Sequence, residues 1–185
     1  MDESHMHERR FHKKAELLRS SERIALLEVD RVVRSCIEGL SIQSVLDIGT
    51  GTGVFAEAFA KRGLMVTGID PNGELLALAR RYVPNADFRE AAAEELPFEA
   101  ASFDLVFLGH ILHEADDQRQ ALSEARRVGR IRVSVLEWPY RKEEQGPPLE
   151  HRLRPATIEE LAREIGYRQV ERSQLAHMDL YHLTP

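Results

Sequence analysis

Three glycines at alternate positions, Gly49, Gly51 and Gly53, follow the apolar run Val45-Leu46-Asp47-Ile48 and precede the helical stretch Val54 to Lys61. A strand that turns sharply into a helix needs residues free to take left-handed backbone angles, and glycine takes them at no steric cost. The helix that follows presents unpaired N–H groups at its start. Asp70 closes the next apolar run, 21 residues after Gly49, where a carboxylate can accept both hydroxyls of a ribose. Strand, glycine loop, helix and strand-end acid in this order describe a nucleotide-binding βαβ unit. The remaining segments are therefore expected to extend the sheet around it.

They follow the expected rhythm. Leu64 to Ile69, Ala86 to Arg89, Phe103 to Leu108 and Ile131 to Glu137 read as buried strands. Glu74 to Val83, ended by Pro84, and Gln118 to Val128 read as helices between them. Such alternation predicts an α/β fold, a Rossmann-like doubly wound and mainly parallel sheet with helices on both faces. The end of the chain differs. Thr157-Ile158-Glu159-Glu160 reads as a capping box opening a helix that stops at Gly166. Arg168 to Gln174 and Met178 to Leu183 then form two strands whose short connection permits only an antiparallel pair. At the other end, Ser20 or Ser21 caps a helix with apolar positions Ala25, Val29, Val32, Val33, Cys36, Ile37 and Leu40, preceded by a shorter piece marked by Phe11, Leu17 and Leu18. The expected organisation is an N-terminal helical cap over residues 1–40 and one compact nucleotide-binding unit over 41–185. Tyr140 to Pro155, with Gly146, Pro147, Pro148 and Pro155, reads as a long loop at the exit of the fifth strand.

Composition removes whole classes of function. With 43% hydrophobic residues in 185, the chain has enough apolar content for a real core. Cys36 is the only cysteine, which excludes a disulfide scaffold and a cysteine-rich zinc site. No run approaches the 18 apolar residues of a membrane span, and the charged N-terminus has no apolar signal-peptide core; the expected compartment is the cytoplasm. A net charge of −6 argues against duplex nucleic acid as the main partner, since affinity there rests on Lys and Arg. His5, His7 and His12 lack a carboxylate framework, so no metal site is expected.

Two readings of the glycine loop compete. Gly51-x-Gly53-x-x-Ala56 fits a dinucleotide fingerprint, which would suit an NAD-dependent oxidoreductase. Asp47 stands beside the loop, however, where a carboxylate repels a pyrophosphate and suits an ammonium group. The run VLDIGTGTG resembles the first motif of the class I S-adenosylmethionine-dependent methyltransferases, in the small-molecule branch of quinone and sterol C-methyltransferases. VTGIDPN resembles the second motif, and EAAAEELPFEAASFDLVFLGHILHE the third and fourth together. The resemblance covers roughly Val45 to Val135. It implies a seven-stranded sheet with the last strand inserted antiparallel, S-adenosyl-L-methionine as cofactor and a small-molecule methyl acceptor. By position it implies Asp47 near the methionine amino group and Gly49, Thr50, Gly51 and Gly53 under the methionine and ribose. Asp70 would hold the ribose hydroxyls, with Pro71 beside the adenine and Ala93 and Glu94 along its edge. Gly109 and His110 would face the methionine.

Two positions depart from the pattern. Ala92 stands where the family often has an Asp for the adenine amino group, the one feature that favours a non-catalytic binding protein. Arg127-Val128-Gly129-Arg130 replaces the Lys-Pro-Gly-Gly turn before the fifth strand. On the acceptor side, displacement at a sulfonium requires mainly alignment and desolvation, and a base only where the nucleophile must lose a proton. His110, His113 and His151 are the candidate catalytic histidines, although packing or loop polarity also accounts for His110 and His113. Phe11, Trp138, Tyr140 and His151 are the candidate acceptor-facing residues, with Trp138 equally suited to a core position.

Overall fold

The computed structural model describes residues 17–185. Seven strands form one sheet in the order β3-β2-β1-β4-β5-β7-β6. Strands β1 (Ser44–Ile48), β2 (Met65–Asp70), β3 (Asp87–Glu90), β4 (Phe103–Gly109) and β5 (Gly129–Glu137) run parallel. The hairpin of β6 (Gln169–Gln174) and β7 (Asp179–Thr184) is antiparallel, with β7 wedged between β5 and β6. The strand order reverses between β1 and β4, and ligands in open α/β sheets sit outside the strand ends at such a reversal.

Side-chain alternation sorts the core into two layers. Val45, Leu105 and Phe107 face one side, against helices α2 (Val29–Ile37), α3 (Val54–Ala60) and α4 (Gly73–Tyr82). Leu46, Ile48, Val106 and Leu108 face the other, against α5 (Gln118–Val128) and α6 (Pro155–Ile165). Both faces of the central strands are therefore apolar, as a sheet covered on both sides requires. At the strand starts, Asp104 gathers the Gln43 and Ser44 N–H groups at 2.9 and 3.1 Å and the Arg130 guanidinium. That end is closed by charge-assisted bonds, and the opposite end is left for the site.

Three expectations are corrected. The single N-terminal helix is broken: α1 (Ser21–Leu26), capped by the Ser20 hydroxyl, is separated from α2 by Glu28, whose φ is 47°. The Glu28 carboxylate accepts the N–H of Ala176 at 2.9 Å, a contact with the far end of the chain. The last helix starts at Pro155, two residues before Thr157, with Arg154 at the cap position and no side-chain cap. Proline fits the first helical turn because its missing N–H is unneeded there, so Thr157 lies inside the helix. Arg127-Val128-Gly129-Arg130 forms no separate turn, since α5 passes directly into β5 at Gly129.

A buried polar chain ties α2 to the sheet. Ser134 on β5 pairs with His182 Nδ1 at 2.9 Å, and His182 Nε2 pairs with Ser35 at 3.0 Å. Arg132 donates to the carbonyls of Ser35 and Cys36 at 3.1 Å. Burial, with Arg132 nearby, pushes His182 down to about 4, so it is neutral at pH 7. Cys36 is fully buried in the core.

Candidate active site

The glycine loop is held by backbone and by two acids. Thr50 N–H donates to the Ile69 carbonyl at 2.9 Å, tying the loop to β2. Gly49, Gly51 and Gly53 have φ of 68°, 54° and 79°, so all three occupy the left-handed region that glycine favours. A side chain at Gly49 would collide with Ile111, whereas one at Gly51 would meet no protein atom within 4 Å. The Gly51 backbone thus faces open space beside Asp70.

Asp70 is fixed by two amides: Gly51 N–H on Oδ2 and Asn72 N–H on Oδ1, each at 2.9 Å. Each oxygen keeps lone-pair capacity for a further donor. Burial raises its pKa, opposed by those two hydrogen bonds. Asp47 is 2% exposed and accepts the Thr50 hydroxyl at 2.6 Å. Burial pushes it up to about 7, with Asp70 adding to the rise. A carboxylate at the edge of ionisation under physiological conditions is one that a cation beside it would stabilise.

Between the ends of β1, β2 and β4 lies a cavity of about 400 Å³. Asp70, Pro71, Ala93, Glu94 and Gly49 line it, as do Leu75 and Ile111. The structure brings these expected cofactor residues to one place. Ala92 lines it too, as does Glu94, whose carboxylate accepts the Asp117 N–H at 3.4 Å.

At the exit of β4, His110 takes a φ of 61°, a conformation that costs a non-glycine residue of order 1–3 kcal/mol and clusters at functional sites. Its ring lies 5.1 Å from that of Trp138. Both ring nitrogens are buried without a hydrogen-bond partner among the described residues. Burial, with Arg23 and His113 nearby, pushes the imidazole down to about 3, so His110 is neutral with a free donor and acceptor.

Three residues later His113 sits on a short turn, Leu112–Glu114. Its Nδ1 meets both Glu137 oxygens, at 3.1 and 2.8 Å, and its backbone N–H donates to Glu137 at 3.1 Å. Burial alone would lower the His113 pKa; Glu137, by hydrogen bond and charge and helped by Glu114, outweighs it and raises the value. Glu137 itself, at the end of β5, is 1% exposed. Sequence reasoning did not single it out, because the contact spans 24 residues and nothing local marks it.

A second cavity, about 580 Å³, is lined by His113, Glu114, Gln118, Glu150, His151 and Arg152. Glu114 lines both cavities. Of the expected acceptor-side residues, His151 lines this second cavity, while Trp138 and Tyr140 line neither. Trp138 is buried under Gly146, and Tyr140 is partly exposed, with the Arg154 guanidinium 5.0 Å from its ring. Phe11, His5, His7 and His12 lie outside the described residues. The long loop owes its shape to Arg152, another residue the sequence does not announce. Its buried guanidinium donates to the carbonyls of Pro147, Pro139, Arg141 and Gln145 at 2.6–3.1 Å. No group of three or more His, Cys, Asp or Glu suited to a metal ion occurs among the described residues.

Comparison with known proteins bears on this arrangement. Residues 46–132 match the family model described as a methyltransferase domain. The chain is 41% identical over 96 residues to the demethylmenaquinone methyltransferase of Chlorobaculum parvum, covering 51% of this chain and 40% of that protein. It is 35% identical over 113 residues to the protein of the same name from Renibacterium salmoninarum, covering 59% and 48%. In its matched segment and its fold the chain is similar to the class I S-adenosylmethionine-dependent methyltransferases. The matches span under half the length of those two curated relatives. A solved methyltransferase from Aquifex aeolicus shares the fold with a TM-score of 0.82 at 21% identity, over 92% of this chain and 96% of that one.

S-adenosylmethionine is the methyl donor of this family. The residues present fit it. Asp70 offers the ribose acceptor, and Pro71, Leu75 and the alanine run offer apolar walls for a base. The open face of Gly51 admits close approach, and Asp47 suits an ammonium group. No helix among the described residues is long and apolar enough to cross a membrane.

Proposed function

We propose that this chain transfers the methyl group of S-adenosylmethionine to a small-molecule acceptor of quinol type. The observation that carries the cofactor half is Asp70, held by the Gly51 amide at the mouth of the 400 Å³ cavity. The acceptor half draws on the relatives named as demethylmenaquinone methyltransferases.

When bound, the cofactor supplies a sulfonium-activated methyl group; what falls to the protein is alignment and exclusion of water. Asp70 and the glycine loop fix the nucleoside. Asp47 holds the amino-acid end by charge. The His110 ring, with Trp138 behind it, closes the β4 exit with an unspent donor and acceptor. The second cavity, meeting the first at Glu114, receives the acceptor.

Titration calorimetry with S-adenosylmethionine, S-adenosylhomocysteine and NAD tests the first half. Both sulfur nucleosides should bind and NAD should not. Asp70→Ala should weaken both by roughly 1–3 kcal/mol, since ribose hydroxyls are left unpaired. Incubation with S-adenosylmethionine and a 1,4-naphthohydroquinone, read by mass spectrometry, tests the second half. Cofactor binding without methylation of any quinol in a panel would favour a binding protein or another acceptor class.

A further inference from the structure

The geometry points to a proton-accepting pair for the acceptor: His113 Nε2 takes a proton from a phenol-type hydroxyl, and Glu137 is the positioning residue that holds the ring in the required tautomer. This rests on the methyl-transfer reading above and deepens it.

Three features support the assignment. First, Glu137 accepts at Nδ1 through both oxygens, so the proton of the neutral ring belongs on Nδ1 and Nε2 carries the lone pair. Second, His113 lines the second cavity, and the nearest carboxylate to Nε2, Glu114, stands 3.8 Å away, beyond hydrogen-bond reach. Third, the chemistry of that cavity selects the class of acceptor. Glu114 and Glu150 give it negative charge, and the Arg152 guanidinium is turned to four carbonyls and offset by the Glu143 carboxylate at 3.6 Å. An acceptor that arrives as an anion is disfavoured, whereas a neutral molecule with an acidic O–H can donate to His113 and ionise within the site, its proton kept on the ring.

The step balances. The hydroxyl proton passes to His113 Nε2, giving an imidazolium that Glu137 stabilises by charge. The phenolate electron pair, on oxygen or on the conjugated ring carbon, forms the new bond to the methyl carbon. The sulfur–methyl bond breaks, and sulfur keeps its pair as S-adenosylhomocysteine. On transfer to oxygen, His113 returns its proton to water; on transfer to carbon, the ring proton leaves to water and the oxygen takes back its proton from His113.

Glu137 also accepts the N–H groups of His113 and Trp138, so a purely structural latch is the competing account. The test must separate the two. The probe is 4-nitrophenol, whose ionised form is coloured, added to the full chain saturated with S-adenosylhomocysteine. The protein should bind it and show phenolate colour at a pH where free 4-nitrophenol is mostly neutral. The coloured fraction should follow the titration of the His113 ring, read by nitrogen NMR on the unmodified protein. The groups facing that ring are Glu137 on β5, Glu114 on its own turn, Arg152 in the loop and His110 at the β4 exit. His151 and Glu150 line the same cavity. Control variants His110→Gln and His151→Gln should leave the colour tied to His113.

In His113→Gln and Glu137→Gln, S-adenosylhomocysteine should still bind within about threefold. The bound-phenol colour should fall by roughly tenfold or more, and Glu137→Gln should lower the His113 titration midpoint. With S-adenosylmethionine, kcat for the same phenol should fall about 100-fold in His113→Gln, KM changing little. Retention of the colour in His113→Gln overturns the proposal, as does failure of the NMR midpoint and the colour to coincide in the unmodified protein. Saturation with S-adenosylhomocysteine without 4-nitrophenol binding overturns the phenol class. Failure of S-adenosylhomocysteine itself to bind overturns the methyl-transfer reading instead.

Discussion

The glycine loop after β1 and the long loop after β5 lie at the same end of the sheet, yet they are held by different means. The first is shaped by its own backbone: three positive φ values, one amide to Ile69, and an acid at a fixed distance along the chain. The second is shaped by one buried side chain, Arg152, collecting four carbonyls over 13 residues. The same contrast holds between Asp70, fixed by neighbouring amides, and His113, fixed by Glu137 across two strands. A cofactor shared by a family can be held by local geometry. A particular acceptor needs side chains drawn from distant segments.

The sharpest way to break this contrast is Gly51→Val. A branched side chain there meets no protein atom within 4 Å and would occupy the space proposed for the cofactor, while its positive φ costs on the order of 1–2 kcal/mol in stability. Calorimetry should show S-adenosylhomocysteine affinity falling by more than about 100-fold, with a thermal melt still cooperative. Normal affinity would mean the loop is only a turn.

Arg152→Met probes the other region. Removing the guanidinium leaves buried carbonyls unpaired at roughly 1–3 kcal/mol each before relaxation, so a loss of about 3 kcal/mol in denaturant unfolding is expected. Cofactor affinity should stay near that of the unaltered protein. A loss of cofactor binding as large as that of Gly51→Val would show that the two regions are not independent.

A smaller effect concerns protons. Asp47 is pushed up to about 7 by burial, and an ammonium group beside it favours its ionised form. Binding of S-adenosylhomocysteine should therefore release a fraction of a proton between about pH 5 and 7, and affinity should rise with pH across that window. Calorimetry in buffers of different ionisation enthalpy measures the release; Asp47→Asn should abolish it. Without ligand the sign is opposite for stability: a raised acid favours its protonated folded state, so rising pH through this window costs folding free energy.

The smallest expected effect lies where the cap meets the loop. Arg19 donates to the Thr52 carbonyl at 2.7 Å, pairs with Glu57 and stacks 3.6 Å from the Tyr82 ring centroid. Arg19→Ala should cost about 1 kcal/mol of stability and weaken cofactor binding no more than about threefold.

What could be read in advance follows the same division. The strand ends of β1, β4 and β5, the start of α3 and the glycine–acid spacing each depend on residues close in sequence, where periodicity and turn chemistry act. Glu28 looks like an ordinary helix residue, and only the Ala176 amide 148 residues away reveals why the helix breaks there. Glu137 reads as the polar end of a strand until β4 and β5 lie side by side and His113 meets it. Thr157 offered a sound capping pattern, but Pro155 started the helix first.

The bond between Ser35 and His182 joins residues 147 apart, and the strand that carries His182 is threaded between two strands made before it. This sets an order of events for a chain leaving the ribosome. Helix α2 is synthesised early but cannot complete its docking until β7 has emerged and entered the sheet. Until then β5 shows an open edge, the kind of surface that recruits strands from other chains. Contacts of such long separation also slow folding, because the loop they close must be ordered before they repay it. A nascent chain arrested before Asp179 should therefore be retained by chaperones or aggregate, while release of the last six strand residues should switch it to the protease-resistant state.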